Sequence, residues 1–248
     1  MSSQFLSMQK VLIVLFLLLS MATSCKRQTI PFSNVKLGKD YVKIETGHFI
    51  DYELDSIIYD DFNLKTDTFR SIIRDEVGAT FLDNQNRESF LIKRKVKDVI
   101  NNAWIEQSDY YVTLTESAYE VVDNNLRFIK LIFPVKESIK WDGNAYLPTA
   151  LNPELQWYDG WSYQYLNVNN VWSNQALSFP NTVIIKQADF NEGNASDPLA
   201  YSAKTFSQEI YAKNVGMVHK EITRWVYQPS VVKYKKGFTL IFNAINHN

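Results

Sequence analysis

The sequence contains a single cysteine, Cys25, among 248 residues. A chain with one thiol can form neither an internal disulfide nor a cysteine-based metal site. A surplus of either charge is also absent, because 26 basic residues face 27 acidic ones and leave a formal net charge of −1. Without a basic surplus, we expect no nucleic acid as a partner. The fold must depend on burial of apolar side chains, for which a chain of this length is large enough.

Histidine and catalytic motifs are scarce as well. His48, His219 and His247 are the only histidines, and His247 stands next to the last residue, where chain ends fray. The sequence has no nucleophile elbow, no His-Glu-x-x-His, no phosphate-binding loop and no dinucleotide fingerprint. We therefore predict no enzyme, no metal and no cofactor, with His219 as a structural histidine that has a hydrogen-bond partner. A hydrolase would require His48 or His219 to meet a carboxylate and a nucleophile in the fold.

The N-terminal residues have the pattern of an export signal. Lys10 precedes an apolar run over 11–21, which is shorter than the ~20 residues that span a bilayer but fits a signal peptide. The small residues Ala22-Thr-Ser24 then lead directly to Cys25, an arrangement that resembles the bacterial lipobox, although Ala22 stands where leucine is commonest. The alternatives are an ordinary secretory signal cut near 22–24 and a short anchor that is never cut.

The lipobox predicts how the chain meets the membrane. A lipobox cysteine would carry three acyl chains, which is more than the roughly two chains that stable anchoring needs. Lys26-Arg27-Gln28 follow, and the absence of Asp after the cysteine resembles sorting rules that argue against retention in the inner membrane. We expect an outer-membrane lipoprotein that faces the periplasm, with the cell surface as the alternative. The predicted organisation is a signal peptide over 1–24, a lipidated tether over 25–39 and a single domain over 40–248.

The mature chain has the period-two alternation of β-strands. Short polar turns such as Asp83–Asn86, Asp123–Asn125 and Asn214–Gly216 separate the strands. This favours an all-β fold with little helix, an antiparallel meander that forms a sandwich or an open or half-closed barrel. The segment 67–76 suits a helix or a strand equally. We predict loops over 147–158 and 189–200, and strands over 52–58, 90–96, 110–114, 126–133, 161–165, 183–185, 206–212, 217–227 and 238–242.

Oxygen-bearing side chains alternate along Asp83–Glu88, as they do in calcium-binding loops. The segment lacks the glycine at the sixth position and the distant glutamate of such a loop. We therefore interpret it as a hairpin turn rather than as a cation site.

Aromatic residues are abundant, at 14% of the chain, and cluster between 157 and 165. Trp157, Trp161, Tyr163 and Tyr165 could form a platform that stacks on sugar rings. The alternative is that Trp161, Tyr163 and Tyr165 simply form one inner face of a sheet. If a ligand-binding surface exists, these four residues are the predicted site.

Four segments resemble a family of uncharacterised lipoproteins from bacteria of the Bacteroidota type. They are YELDSIIYDDF at 52–62, NLRFIKLIFPVK at 125–136, WDGNAY at 141–146 and EIYAKNVGMVHKE at 209–221. The chain departs from the family pattern where His219 replaces a common tyrosine and Asn214 a frequent glycine. The resemblance implies an exported, lipid-anchored β domain, and it carries over no catalytic residue.

Two functions follow as hypotheses. The favoured one is a non-catalytic, lipid-anchored envelope lipoprotein whose β domain makes or supports contacts with an envelope protein or glycan. The N-terminal lipid attaches this protein to the membrane. The alternative is a lipoprotein that binds a glycan or small ligand with the aromatic strand face.

Overall fold

The computed structural model describes residues 37–248, and strands dominate them. All twelve strands belong to one sheet in which neighbours run antiparallel. Two short 3₁₀ helices, Lys39–Tyr41 and Pro153–Tyr158, complete the regular structure. The strands are β1 Phe49–Asp60, β2 Lys65–Leu82, β3 Glu88–Lys97, β4 Trp104–Leu114, β5 Ala118–Asp123, β6 Leu126–Ile132, β7 Lys140–Trp141, β8 Tyr163–Ser173, β9 Ser178–Gly193, β10 Ser202–Ala212, β11 Gly216–Gln228 and β12 Val232–His247. The predicted all-β fold is confirmed.

Several predicted features lie outside the described residues. These are the signal peptide 1–24, Cys25 and the tether as far as residue 36. Residues 37–39, which the sequence assigned to the tether, belong to the folded unit 37–248. The amide of Val135 donates a hydrogen bond to the carbonyl of Leu37 at 2.9 Å. Within the described unit, no helix has the length and apolar character needed to cross a bilayer.

The first and the last strand of the meander are neighbours in the sheet. Strands β1 to β6 follow one another across one half of the sheet, and β7 to β12 across the other half. The two halves join where β1 pairs with β12. This leaves β6 and β7, which are consecutive in the chain, as the two edges of the sheet.

Side chains and loop backbone bring the two edges together. The amide of Ile129 in β6 donates to the carbonyl of Gly143 at 2.8 Å, and the indole N–H of Trp141 donates to the carbonyl of Ile129 at 2.8 Å. The Tyr165 hydroxyl donates to the Ile132 carbonyl at 2.7 Å and accepts from the Ile132 amide at 2.8 Å. Because unpaired edge groups are satisfied in this way, the sheet is a nearly closed, barrel-like structure, in agreement with the half-closed barrel among the predicted alternatives.

The structure resolves the ambiguous segment 67–76 as part of β2. Its register places Ile73 opposite Tyr52, and both side chains are buried. Pairing with β1 on one side and β3 on the other therefore outweighs any local helical preference. Strand β5, which the sequence analysis did not predict, fills the place between β4 and β6.

The predicted loop over 189–200 begins too early. Strand β9 continues to Gly193, which pairs with Ser202 at the start of β10. A Cβ added at Gly193 would lie 1.9 Å from the Tyr201 carbonyl oxygen, so the two backbones meet where only glycine fits. The prediction failed because polar residues such as Asn191 and Glu192 suggest a loop, although they lie on an exposed stretch of a long hairpin.

Three clusters of buried side chains form the core. The largest joins β1, β2 and β10 to β12, an aromatic one joins β6 to β8, β9 and β10, and a small one joins β2, β3 and β4. Their buried members include Ile50, Tyr52, Ile73, Ile210, Val218, Phe242 and Ala244 in the first, Leu131, Trp161, Tyr163, Tyr165, Val183, Ile185 and Tyr211 in the second, and Val77, Ile92 and Val112 in the third.

Candidate functional site

Five charged side chains lie on the inner face of the sheet, where alternation predicts apolar residues. Asp75 in β2 comes between the buried residues Ile73 and Val77 at a spacing of two. Because alternate residues of a strand share a face, Asp75 points inward. Side chains from β3, β6, β10 and β11 meet it around an interior cavity of about 110 Å³. The five are Asp75, Arg94, Lys130, Glu209 and Lys220, and Lys43 and Asp123 also line the cavity.

Arg94 and Asp75 form one buried ion pair between neighbouring strands. Arg94 Nε and Nη2 donate to the two oxygens of Asp75 at 2.8 and 2.7 Å, which is the strong bidentate geometry. The hydroxyl of Tyr110 donates to the same carboxylate at 3.0 Å. The Arg94 guanidinium also lies 5.2 Å from the ring centre of Tyr110. The Asp75 carboxylate raises the pKa of Arg94 despite its burial, so the guanidinium stays charged.

The second cluster, formed by Lys130, Glu209 and Lys220, joins strands from the two halves of the sheet. Lys130 Nζ in β6 donates to Glu209 Oε1 in β10 at 2.6 Å. The Tyr211 hydroxyl donates to Glu209 Oε2 at 3.0 Å. Lys220 Nζ in β11 is 3.9 Å from Glu209 Oε1. Two ammonium groups thus share one carboxylate, and the cluster carries one positive charge in excess when all three groups are ionised.

The ionisation of this cluster follows from burial and charge. Burial opposes the charged form of Glu209, but Lys130 and Lys220 hold its pKa below the usual range. Burial, reinforced by the charge of Lys130, lowers the pKa of Lys220 to about 8. Lys220 can therefore gain or lose its proton near neutral pH, which few lysines do.

Four tyrosines complete the polar part of the cavity wall. Burial and the nearby carboxylates raise their pKa values, so they remain neutral hydrogen-bonding groups. Tyr52 donates to the carbonyl of Met217 at 2.8 Å, and Tyr119 and Tyr211 meet edge to face. The four are Tyr52, Tyr110, Tyr119 and Tyr211.

A second cavity, of about 130 Å³, lies on the other side of Lys130 and Lys220. Gln187 in β9 lines it and is 1% exposed. Its Oε1 accepts a hydrogen bond from Ser207 Oγ at 2.6 Å, but its Nε2 has no partner within residues 37–248. A buried donor left unpaired costs about 1–3 kcal/mol. Such an atom in a cavity wall is typical of a place where a ligand binds.

The structure places the predicted aromatic residues inside the domain rather than on an open platform. Trp161, Tyr163 and Tyr165 are at most 5% exposed. Trp161 and Tyr163 line the second cavity, whereas Tyr165 closes the sheet at β6. Trp157 is half-buried beside them, and Arg224 lies 4.9 Å from the centre of its ring. Three of the four residues therefore form a buried wall, and any ligand would meet Trp161 and Tyr163 from the interior.

A glycine allows this aromatic wall to approach the neighbouring turn. A Cβ added at Gly143 would lie 2.4 Å from the Tyr163 ring. The Tyr163 hydroxyl donates to Asn144 Oδ1 at 3.0 Å. The turn over Asp142–Asn144 thus holds Tyr163 in place.

Two of the histidines have structural hydrogen bonds. His219 Nδ1 is 2.8 Å from Asn243 Oδ1, which confirms that it is partnered. His48 is 2.9 Å from Asn248 Oδ1 through Nδ1 and 2.8 Å from the carbonyl of Val215 through Nε2. These partners are amide and carbonyl oxygens, so neither ring has the carboxylate partner that the hydrolase hypothesis requires. In the described part of the chain, no group of three or more His, Cys, Asp or Glu side chains is arranged to hold a metal ion.

The acidic segment Asp83–Glu88 forms the turn between β2 and β3. Asp83 Oδ1 accepts hydrogen bonds from the amides of Gln85 and Arg87 at 2.8 and 3.0 Å. The Arg87 side chain donates to the other oxygen at 2.8 Å. Arg87 lowers the pKa of Asp83 to about 2. The carboxylate is thus occupied by the turn itself, as the hairpin interpretation predicts.

The sequence analysis missed the interior charged cluster, although it contained a signal. Lys130 interrupts a strand that is otherwise apolar between Phe128 and Ile132, at the position where an inward residue belongs. A charge at an inward position marks a buried polar site. The partners Glu209 and Lys220 could not be found in this way, because they come from strands whose alternation includes many polar residues.

The comparisons with known proteins add little to this geometry. No family model matches the chain, and no curated protein matches it. Among solved structures, it is similar to a protein from Bacteroides fragilis that is described as exported and as having a YmcC-like fold. The two are 9% identical, the match covers 83% of this chain and 97% of the other, and the TM-score is 0.37. Its source belongs to the Bacteroidota, but a similarity of this extent carries no argument about function or location.

Proposed function

We propose that the protein is a non-catalytic lipoprotein of the bacterial envelope, anchored by a lipid on Cys25. The observation that carries this proposal is the position of the only cysteine, directly after an apolar run and three small residues. The thiol has no competing role in a disulfide, because the chain contains no second cysteine. Lys26 stands after Cys25 where an Asp would resemble the signal for retention in the inner membrane. We therefore favour the outer membrane, with the domain facing the periplasm.

The buried ionisable groups support a role in binding and stability rather than in chemistry. Arg94 and Asp75 neutralise each other between neighbouring strands. Lys130 and Glu209 connect the two halves of the sheet. Pairs of this kind hold a defined arrangement of strands, and a rigid domain on a tether suits contacts with an envelope protein or glycan.

Metabolic labelling with a fatty-acid analogue tests the anchor. We expect the wild-type protein to take up the label and to partition with membranes, and we expect the C25S variant to do neither. The Q28A variant, changed three residues further on, is the matched control and should label like the wild type. Equal labelling of the wild type and C25S would contradict the proposal.

The second candidate function is that of a lipoprotein that binds a small ligand inside the sheet. The observation that favours it is the second cavity, where the unpaired Gln187 Nε2 and the aromatic residues Trp161 and Tyr163 meet. Pockets that combine an apolar wall with a few directed polar groups are typical of ligand sites. The same residues that the sequence proposed for a sugar platform would then act from inside the domain.

A further inference from the structure

The second cavity presents hydrogen-bond donors on one side and aromatic rings on the other. The donors include Lys220 and Gln187, and the rings include Phe128, Trp161 and Tyr163. The Trp161 indole N–H donates to the carbonyl of Trp157, so it is not among the free donors. The Tyr163 hydroxyl is likewise engaged with Asn144. Lys130, which also lines the cavity, is paired with Glu209, whereas Gln187 Nε2 has no partner within residues 37–248.

The ammonium group of Lys220 is available to bind an anion. Within residues 37–248 its ammonium group makes no hydrogen bond, and its nearest ion-pair partner is Glu209 Oε1 at 3.9 Å. That oxygen already accepts from Lys130 at 2.6 Å, and Oε2 accepts from Tyr211. The Lys220 ammonium group also lies 5.6 Å from the ring centre of Phe242, which compensates only a small part of its charge.

Charge and size define the ligand class. The Lys220 ammonium group and Gln187 Nε2 are both donors without a hydrogen-bond acceptor within residues 37–248, so they suit a group that only accepts hydrogen bonds, such as a carboxylate. The cavity volume of about 130 Å³ is close to that of the ~150 Å³ engineered cavities that accept benzene. The half-buried Asp123 also lines this cavity, and its carboxylate with that of Glu209 matches the charges of Lys130 and Lys220, which disfavours a dianion.

We propose that the second cavity binds a small organic monocarboxylate, with its carboxylate between Lys220 Nζ and Gln187 Nε2 and its apolar body against Phe128, Trp161 and Tyr163. This inference rests on the second candidate function, the binding of a small ligand inside the sheet. The ligand enters at the β5–β6 turn, where Asn124 is exposed. A free carboxylic acid and the acidic end of a larger molecule share this chemistry.

Isothermal titration calorimetry of the full-length lipoprotein in detergent, with benzoate at pH 7, tests the proposal. We expect benzoate to bind at least ten-fold more tightly than benzyl alcohol, which has a similar ring but no charge. A sugar joined through a flexible chain to the ring of benzoate, so that the carboxylate stays free, separates the two sources. Binding like benzoate indicates the acidic end of a larger molecule, and binding of benzoate alone indicates a free acid. Equal affinities for benzoate and benzyl alcohol would overturn the carboxylate class while leaving the binding of a small ligand intact, and no binding of either would overturn both.

Variants then locate the site. K220M should weaken benzoate binding at least ten-fold and Q187L several-fold. K186M is the matched control, because Lys186 lies next to Gln187 in β9 but pairs with Asp189 at the surface, and it should bind benzoate like the wild type. Wild-type affinity in K220M, with its near-ultraviolet circular dichroism unchanged, would overturn the proposal.

The pH dependence of the wild type tests the same site without a substitution. The groups that face Lys220 are Lys130, Glu209, Arg94 and Asp123, and burial lowers the pKa of Lys220 to about 8. Benzoate remains ionised above pH 7, whereas Lys220 loses its proton, so the affinity should fall about ten-fold between pH 7 and 9. An affinity that stays constant over this range would contradict the assignment of Lys220.

Discussion

The two charged clusters inside the sheet differ in how completely their charges are matched. Arg94 and Asp75 are one cation and one anion on neighbouring strands, with a bidentate contact and a further hydrogen bond from Tyr110. In the other cluster, Lys130 and Lys220 face the single carboxylate of Glu209. The first cluster is complete in itself, whereas the second retains a cation without a hydrogen-bond acceptor in the described chain.

The position of each cluster explains the difference. Asp75 and Arg94 lie on β2 and β3, which pair directly, so the register of two strands sets their geometry. Lys130 and Glu209 lie on β6 and β10, which do not pair and meet only because the sheet closes. Buried charge therefore supports local pairing in one place and the closure of the sheet in the other, and only the latter has a cation without a hydrogen-bond acceptor within residues 37–248.

The largest effect should come from removing the only anion of the second cluster. The E209Q variant leaves Lys130 and Lys220 without a carboxylate, and breaking a buried ion pair in this way costs about 3–5 kcal/mol. Chemical denaturation at pH 7 measures the change in the free energy of unfolding. A loss below about 1 kcal/mol would show that the cluster does not hold the two halves of the sheet together.

A smaller loss in the free energy of unfolding is expected when the pair of Arg94 and Asp75 is broken. The D75N variant leaves one cation without a carboxylate rather than two, so we expect a smaller destabilisation of about 2–3 kcal/mol. D55N is the matched control, because Asp55 makes a similar contact with Arg70, whose side chain is 64% exposed. Loss of that exposed pair should cost less than about 1 kcal/mol. Equal losses for D75N and D55N would remove the distinction between buried and exposed pairs.

The K220M variant should show the smallest change in the free energy of unfolding, and this change should be a gain rather than a loss. Replacing the surplus cation by an apolar side chain should stabilise the protein by about 1 kcal/mol at pH 7. In the wild type, burial lowers the pKa of Lys220 to about 8 from 10.5. Between these values the unfolded chain holds a proton that the folded chain lacks, so the contribution of Lys220 to stability rises with pH.

The free energy of unfolding of K220M should therefore exceed that of the wild type by less at pH 10 than at pH 8. Denaturant unfolding of both proteins across this range measures it. A difference that stays constant or grows over the same range would contradict the lowered pKa.

Much of the fold follows from local patterns in the sequence. The alternation at Tyr52–Ile58 and Phe90–Val96 predicts β1 and β3, and the turn at Asn214–Gly216 is found between β10 and β11. Asn214 has a φ of 59° there, which asparagine tolerates. These features depend on neighbouring residues in the chain, so the sequence alone reveals them.

The interior site depends on contacts between distant residues and was not predictable in the same way. Lys130 and Glu209 are 79 positions apart and meet through the closure of the sheet. The aromatic run at 157–165 is visible in the sequence, but whether its rings face solvent or the interior depends on which strand edge lies opposite. Tyr165 faces β6 because the edge groups of Ile132 need hydrogen-bond partners.

The most direct test of the account is the pKa of Lys220, measured by NMR on lysine-labelled full-length protein with K220M for assignment. We expect a pKa of about 8 in the protein alone. Saturating benzoate should raise the pKa, because a bound carboxylate favours the charged ammonium group. An ordinary lysine pKa that benzoate does not change would contradict the account of Lys220 as a buried, unmatched cation that binds a carboxylate.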